Sequence, residues 1–118
     1  MANYLPQYDA DDNPSIVATA AITGGLMITG AGAVAGAAAL NVIGVAAHDA
    51  AIGDTVTYFK NGVQRITAGT GGLNAGDLVK SDANGNGVTA TPTTDIAATV
   101  GVCIQAAAAG AVALVDFK

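Results

Sequence analysis

The stretch Thr55-Val56-Thr57-Tyr58-Phe59-Lys60-Asn61-Gly62-Val63-Gln64-Arg65-Ile66 decides the fold class. Two runs rich in β-branched and aromatic residues flank Asn61-Gly62. Both central residues of a type I′ turn need positive φ, which Asn and Gly tolerate best, so the pattern predicts a β-hairpin. Upstream, Ile16, Ala18, Ala20 and Ile22 alternate with Val17, Thr19 and Ala21, the period of two that a strand requires. Thr23-Gly24-Gly25 then turns the chain into Leu26-Met27-Ile28-Thr29. Downstream, Leu78-Val79-Lys80 and Val88-Thr89-Ala90 bracket the turn-forming run Asp82-Ala83-Asn84-Gly85-Asn86-Gly87, which predicts a second hairpin. Strands over Thr99–Ile104 and Ala111–Phe117 close the chain.

An internal echo runs through these elements. Ile43-Gly44-Val45 resembles Val100-Gly101-Val102, and Ala50-Ala51-Ile52-Gly53 resembles Ala107-Ala108-Ala109-Gly110, each glycine lying 57 residues from its counterpart. A partial third copy sets Ala75-Gly76-Asp77-Leu78-Val79 beside Ile52-Gly53-Asp54-Thr55-Val56. Each unit reads as a strand, a thin corner of small residues and a returning strand, with Gly permitting the bend. The expected fold is all-β: a small compact β-barrel or sandwich of related halves, preceded by an extended N-terminal arm. The arm is assigned to residues 1–14 and the single β domain to 15–118. The arm is set apart by two prolines, an acidic knot at Asp9, Asp11 and Asp12, and an apolar group formed by Tyr4, Leu5 and Tyr8.

Composition narrows the function. The chain has 118 residues, enough for one domain, and 27 of its 61 hydrophobic residues are Ala, so the core is modest. Charged residues make up only 11%, well under the roughly 25% of an ordinary soluble domain, which points to a surface covered by neighbours. The formal net charge is −5, every acid is Asp, and the bases Lys60, Arg65, Lys80 and Lys118 are scattered. No basic patch exists to neutralise phosphates, so no nucleic-acid partner is expected. The single cysteine, Cys103, rules out an internal disulfide and fits folding in a reducing cytoplasm. Asn13 to His48 carries no formal charge, but its six glycines and scattered Thr leave no window apolar enough to span a bilayer, so no membrane association is expected.

Candidate chemistry is sparse. His48 is the only histidine, and Asp49 beside it projects to the opposite face of an extended chain, a poor arrangement for orienting an imidazole. Ser15 and Ser81 have no nucleophile-elbow context, and Cys103 sits in an apolar strand as a small buried hydrophobe. Asp82–Gly87 matches the first half of a calcium loop, but the twelfth position is Thr93 rather than an acid, and a plain turn selects the same residues. Gly30–Gly36 has the wrong spacing for a dinucleotide fingerprint, and Gly69-Thr70-Gly71-Gly72 lacks the Lys of a phosphate loop. No enzyme activity, cofactor or metal is expected.

Five segments in order carry a resemblance: Met1-Ala2-Asn3-Tyr4-Leu5-Pro6, then Ala20–Gly25, Ile43–Asp54, Gly62–Arg65 and Ala75–Asp77. Together they resemble the capsid decoration, or cement, proteins of tailed bacteriophages over nearly the whole chain. The resemblance implies a non-enzymatic virion protein, made in the host cytoplasm and added to the outer surface of the expanded icosahedral head. It further implies trimers at threefold or quasi-threefold positions. The expected partners are the major capsid protein, further copies of the chain in a homotrimer, and neighbouring decoration trimers. Tyr4, Leu5, Pro6 and Tyr8 are the expected contacts with the shell or a neighbouring trimer, because aromatic anchors bury large area at small cost in rotamer freedom. A tail or head–tail joining component and a host- or glycan-binding module are the alternatives, the latter weakened by the absence of Trp.

Overall fold

The computed structural model describes residues 14–117. The runs flanking Asn61-Gly62 are strands, β4 (Thr55–Phe59) and β5 (Gly62–Thr67), but they do not form the expected hairpin. Each belongs to a different sheet, and Lys60-Asn61 is the crossing between them. The turn chemistry explains the difference. Gly62 has φ +82, whereas Asn61 is not among the residues with positive φ, so a type I′ turn is not made and the dipeptide serves as a corner.

The first sheet contains β1 (Ser15–Val17), β2 (Met27–Thr29), β3 (Val42–Ala46) and β4, in the order β1-β4-β3-β2. The second contains β5, β6 (Leu78–Ser81), β7 (Gly87–Thr89), β8 (Gly101–Gln105) and β9 (Val112–Phe117), in the order β5-β9-β8-β6-β7. All ladders between named strands are antiparallel. The expected β6–β7 hairpin and the closing β8–β9 pair are present. The expected strand from Ile16 to Ile22 shortens to β1 plus one bridge, Ile22 to Ala50.

The two sheets are copies of one unit, and the sequence echo marks it. β1, β4, β3 and β2 correspond in order and register to β5, β9, β8 and β6. Val45 opposes Phe59 and Ala46 opposes Tyr58, as Val102 opposes Asp116 and Cys103 opposes Val115. Ser15, Ile16 and Val17 oppose Thr57, Val56 and Thr55, as Arg65, Ile66 and Thr67 oppose Leu114, Ala113 and Val112. The corner bridge Ile22–Ala50 recurs as Leu73–Ala107. β7 has its counterpart in Val34, which bridges Ile28 as Thr89 pairs with Val79. The third sequence copy is local only. Gly53 and Gly76 share φ near +90, and Asp54 and Asp77 each accept the N–H three residues back, at 3.1 and 2.9 Å. By hydrogen bonding, Gly76 instead corresponds to Gly25, each donating to β8 or β3 at Cys103 and Ala46.

Each unit curls toward closure. Thr19 N–H donates to Gly32 O at 2.9 Å, and Gly69 N–H donates to Gly87 O at 2.7 Å beside a parallel Ala68–Gly87 bridge. The cores inside correspond position by position: Ala18, Ile22, Ile28, Ala46 and Val56 in the first, Ala68, Leu73, Val79, Cys103 and Ala113 in the second. Met27, Ala35 and Val45 of the first unit pack into the second core, which joins the two. Gly44 and Gly101 sit at matching strand positions where a Cβ would collide with the Phe59 and Asp116 carbonyl oxygens, so close approach of neighbouring strands requires glycine there. Cys103 is buried, as expected.

Candidate functional site

The residues singled out in the sequence, Tyr4, Leu5, Pro6 and Tyr8, lie outside the described residues. The structure begins where that segment ends. Pro14 O accepts the Tyr58 N–H at 3.0 Å, and β1 runs antiparallel to β4 with Ser15 opposite Thr57. The chain therefore enters the first sheet from the direction of Phe59 and Lys60.

Two surface depressions take lining residues from this end of β4 and the residue after it, one from Phe59 and the other from Lys60. A shallow trough of about 380 Å³ lies between the end of β4 and β5, lined by Gly25, Val45, Phe59, Val63, Gln64 and Arg65. Val63 is half exposed beside it, and the strand order leaves β5 paired on one side only, with β9. A smaller recess of about 120 Å³ is lined by matching positions of the two units, Ile43 and Lys60 from one, Val100 and Phe117 from the other. Its rim carries Leu40, 75% exposed, and Ile96, 73% exposed, stands next to the lining residue Ala97. Ile52 at the first corner is exposed to a similar degree. Large aliphatic side chains this open, on a body with few charges, suit contact with another polypeptide. The sequence pattern did not mark them, because strand periodicity tells which face is buried and is silent on which exposed residues cluster.

The ionic side chains are mostly committed to structure. Among the described residues the only salt bridge joins Lys80 to Asp95, at 2.9 Å. Asp95 also accepts the Thr91 N–H at 2.8 Å, and its backbone carbonyl accepts the Thr99 hydroxyl at 3.0 Å. The Lys80 hydrogen bond, followed by that of Thr91, holds the Asp95 carboxyl below its ordinary value of 3.8. Lys60 and Arg65 have no carboxylate at salt-bridge distance among the described residues.

The candidate chemical groups are engaged in the same way. His48 Nδ1 pairs with Asp49 O at 2.8 Å and Nε2 accepts the Thr57 N–H at 3.3 Å, which assigns the ring proton to Nδ1. The Asp49 carboxylate turns away and accepts the Gly24 N–H at 2.8 Å. Asp82 Oδ1 accepts the N–H groups of Asn84 and Asn86 at 2.8 and 2.9 Å, so Asp82–Gly87 is held as an Asx turn. That turn reaches across to the first unit, where Met27 N–H donates to Gly85 O at 2.9 Å. Ser81 is fully buried and also joins the units: its hydroxyl donates to Gly36 O at 2.7 Å and accepts the Ala39 N–H at 3.1 Å. Among the described residues no group of three His, Cys, Asp or Glu side chains stands close enough to hold a metal ion. No helix among them is long and apolar enough to cross a membrane.

Comparisons with known proteins bear on this arrangement. A family model described as phage cement protein matches residues 10–117, a span that takes in both units. No curated protein matches the chain. Among solved structures, the N base of head fiber gp8.5 from bacteriophage phi29 superposes with a TM-score of 0.68 at 16% identity, covering 91% of this chain and 93% of that one. At that identity the likeness establishes a shared fold.

Proposed function

Because the chain belongs to the phage cement protein family, we propose that it binds the outer surface of the expanded icosahedral head and stabilises it. The family match over residues 10–117 is the observation that carries this reading. Family membership makes the chain a structural component associated with the phage capsid, in a family that is in general non-enzymatic. The finer assignments are ours: the major capsid protein as partner, homotrimers at threefold or quasi-threefold positions, and contacts between neighbouring trimers. Within the chain, residues 1–14 serve as the arm and 15–118 as the body, with Tyr4, Leu5, Pro6 and Tyr8 contacting the shell or a neighbouring trimer.

The physical role follows from mass action. A clamp that binds only the expanded shell adds free energy to that state in proportion to the logarithm of its concentration over its dissociation constant. Exposed Leu40, Ile52 and Ile96 supply apolar contact area, and the small number of charges limits the desolvation cost of covering the surface. The ties that hold His48, Asp49, Ser81 and Asp82 to the backbone are consistent with a passive role.

The test adds purified protein to expanded heads that lack it and measures occupancy by cryo-EM, with the thermal stability of the heads followed in parallel. Full-length protein should appear as threefold-arranged density outside the shell and raise the temperature of head disruption. Deleting residues 2–14 should lower occupancy while leaving the far-ultraviolet spectrum of the body intact. Density at the tail or the head–tail junction instead, or no binding to heads, would overturn the reading.

A further inference from the structure

The first unit shows what its outer face does. On the side of the first sheet turned away from that unit's own core, Met27 and Val45 oppose each other across β2 and β3, and both are buried in the core of the second unit. The second unit carries the same pair as Leu78 and Val102 across β6 and β8. Ala90 N–H donates to Leu78 O at 2.7 Å, as Ala35 N–H donates to Met27 O at 2.9 Å. There the likeness ends. Met27 N–H donates onward to Gly85 O of the other unit, whereas Leu78 and Val102 stay part exposed, on a face that no further unit of the chain covers.

A repeat that ends a stack is expected to turn a polar outer face to solvent. This one is more apolar than its counterpart. Residues directly opposite on neighbouring strands share a face, so Val63, Asp116 and Val102 form one row, Arg65 and Leu114 the next, and Thr67 and Val112 a third. Where β4 carries Thr55 and Thr57, β9 carries Val112 and Leu114, and where β3 runs on into Ala47, β8 has Ile104. Val63, Ile104 and Val112 are each half exposed. The only charges in these rows are Arg65 and Asp116, both exposed, and neither lies at salt-bridge distance from an opposite charge among the described residues. The patch is therefore electrically balanced and complements a copy of itself.

We propose that this outer face of the second sheet pairs with the same face of a second copy about a twofold axis. Two sheets packed face to face lie about 10 Å apart. An axis along the Val63–Leu114 diagonal sets each of these side chains against its own counterpart and Arg65 of each copy against Asp116 of the other, an isologous contact. One sheet face is small beside the roughly 1,600 Å² of a standard interface, so the pairing is weak in free solution and gains strength where copies are held side by side. On the proposed coat it joins copies in neighbouring trimers, since a twofold contact cannot close a ring of three. That placement rests on the proposed head-binding role; the pairing itself is a property of the free protein.

Sedimentation velocity of the full-length protein over a wide range of concentrations tests it. The sedimentation coefficient should rise with concentration. R65D and D116R should each weaken the association by about tenfold or more, because like charges then face each other. Mixing the two variants in equal amounts should bring association back, since each supplies the charge the other lacks, and that recovery shows that both are folded. L114T installs the residue that β4 bears at the matching place, and should weaken pairing by about tenfold with the circular dichroism spectrum unchanged. A coefficient that stays constant up to millimolar protein, association indifferent to these three variants, or a mixture of R65D and D116R no better than either alone would each overturn the proposal. Head occupancy is a separate readout: intact head binding without pairing counts against this contact alone, and pairing without head binding supports the contact and counts against the coat role.

Discussion

Ser81 and Asp95 show how little polar chemistry this body uses and how closely that chemistry is placed. The Ser81 hydroxyl satisfies Gly36 O and Ala39 N–H at once, in a site with no solvent access. Ser81→Ala should therefore lower unfolding stability by about 1–3 kcal/mol, the usual penalty for stranding buried partners, as measured by chemical denaturation. Asp95 gives a pH signature. Its folded-state carboxyl is held below the ordinary 3.8, so its contribution is complete above that value and is lost as pH falls through the lower, folded value. Acid unfolding monitored by circular dichroism should show this loss, and Asp95→Asn should be less stable at neutral pH with a flatter fall in stability below pH 3.8.

At the scale of elements, the paired glycines separate two physical effects. Gly44 and Gly101 are buried in strands with a neighbouring carbonyl in the way of any Cβ, whereas Gly53 and Gly110 sit in open corners at φ +90 and +84. Gly44→Ala and Gly101→Ala should each cost about 1–3 kcal/mol through displacement of the adjacent strand. Gly53→Ala and Gly110→Ala should cost about 1–2 kcal/mol through left-handed backbone strain alone. Denaturation midpoints of the four variants would compare them, and agreement within each pair would show that the two units respond alike. The strands themselves were legible in the sequence, since Thr55–Phe59 and Gly62–Thr67 have the β-branched content that strands select. Their pairing was not. An Asn-Gly step favours a hairpin only when the two strands lack better partners, and here β4 packs between β1 and β3 while β5 lies along all six residues of β9. The candidate surface was less legible still: Leu40, Val63 and Ile96 have no periodicity that sets them apart.

For the whole molecule, the duplication raises the question of whether one unit could stand alone. The buried residues answer it. Met27 and Val45 belong to the first unit by chain and to the second by packing, and each contributes about 1.5–3 kcal/mol through burial, a large share of the ~5–15 kcal/mol that stabilises a small domain. Ser81 and Gly85 reach back the other way. Fragments 14–60 and 62–117 expressed separately should lack a cooperative thermal transition, and mixing them should restore one. Separate cooperative melting of either fragment would contradict the shared core. The internal echo, visible as two glycine pairs at one spacing, was enough to foresee related halves; their interlocking depends on side chains from opposite ends of the chain and leaves no mark on local sequence.

Curling has a consequence for a molecule proposed to coat a shell side by side with its own copies. Crowded β proteins with bare strand borders tend to recruit one another into open-ended ribbons, since an unsatisfied row of amides and carbonyls accepts any strand that comes alongside. Here the Thr19–Gly32 and Gly69–Gly87 contacts, each just past the end of a border strand, bend each sheet back toward itself and engage part of that border. With that part of each border already engaged, the proposed coat would grow only as far as the lattice beneath it.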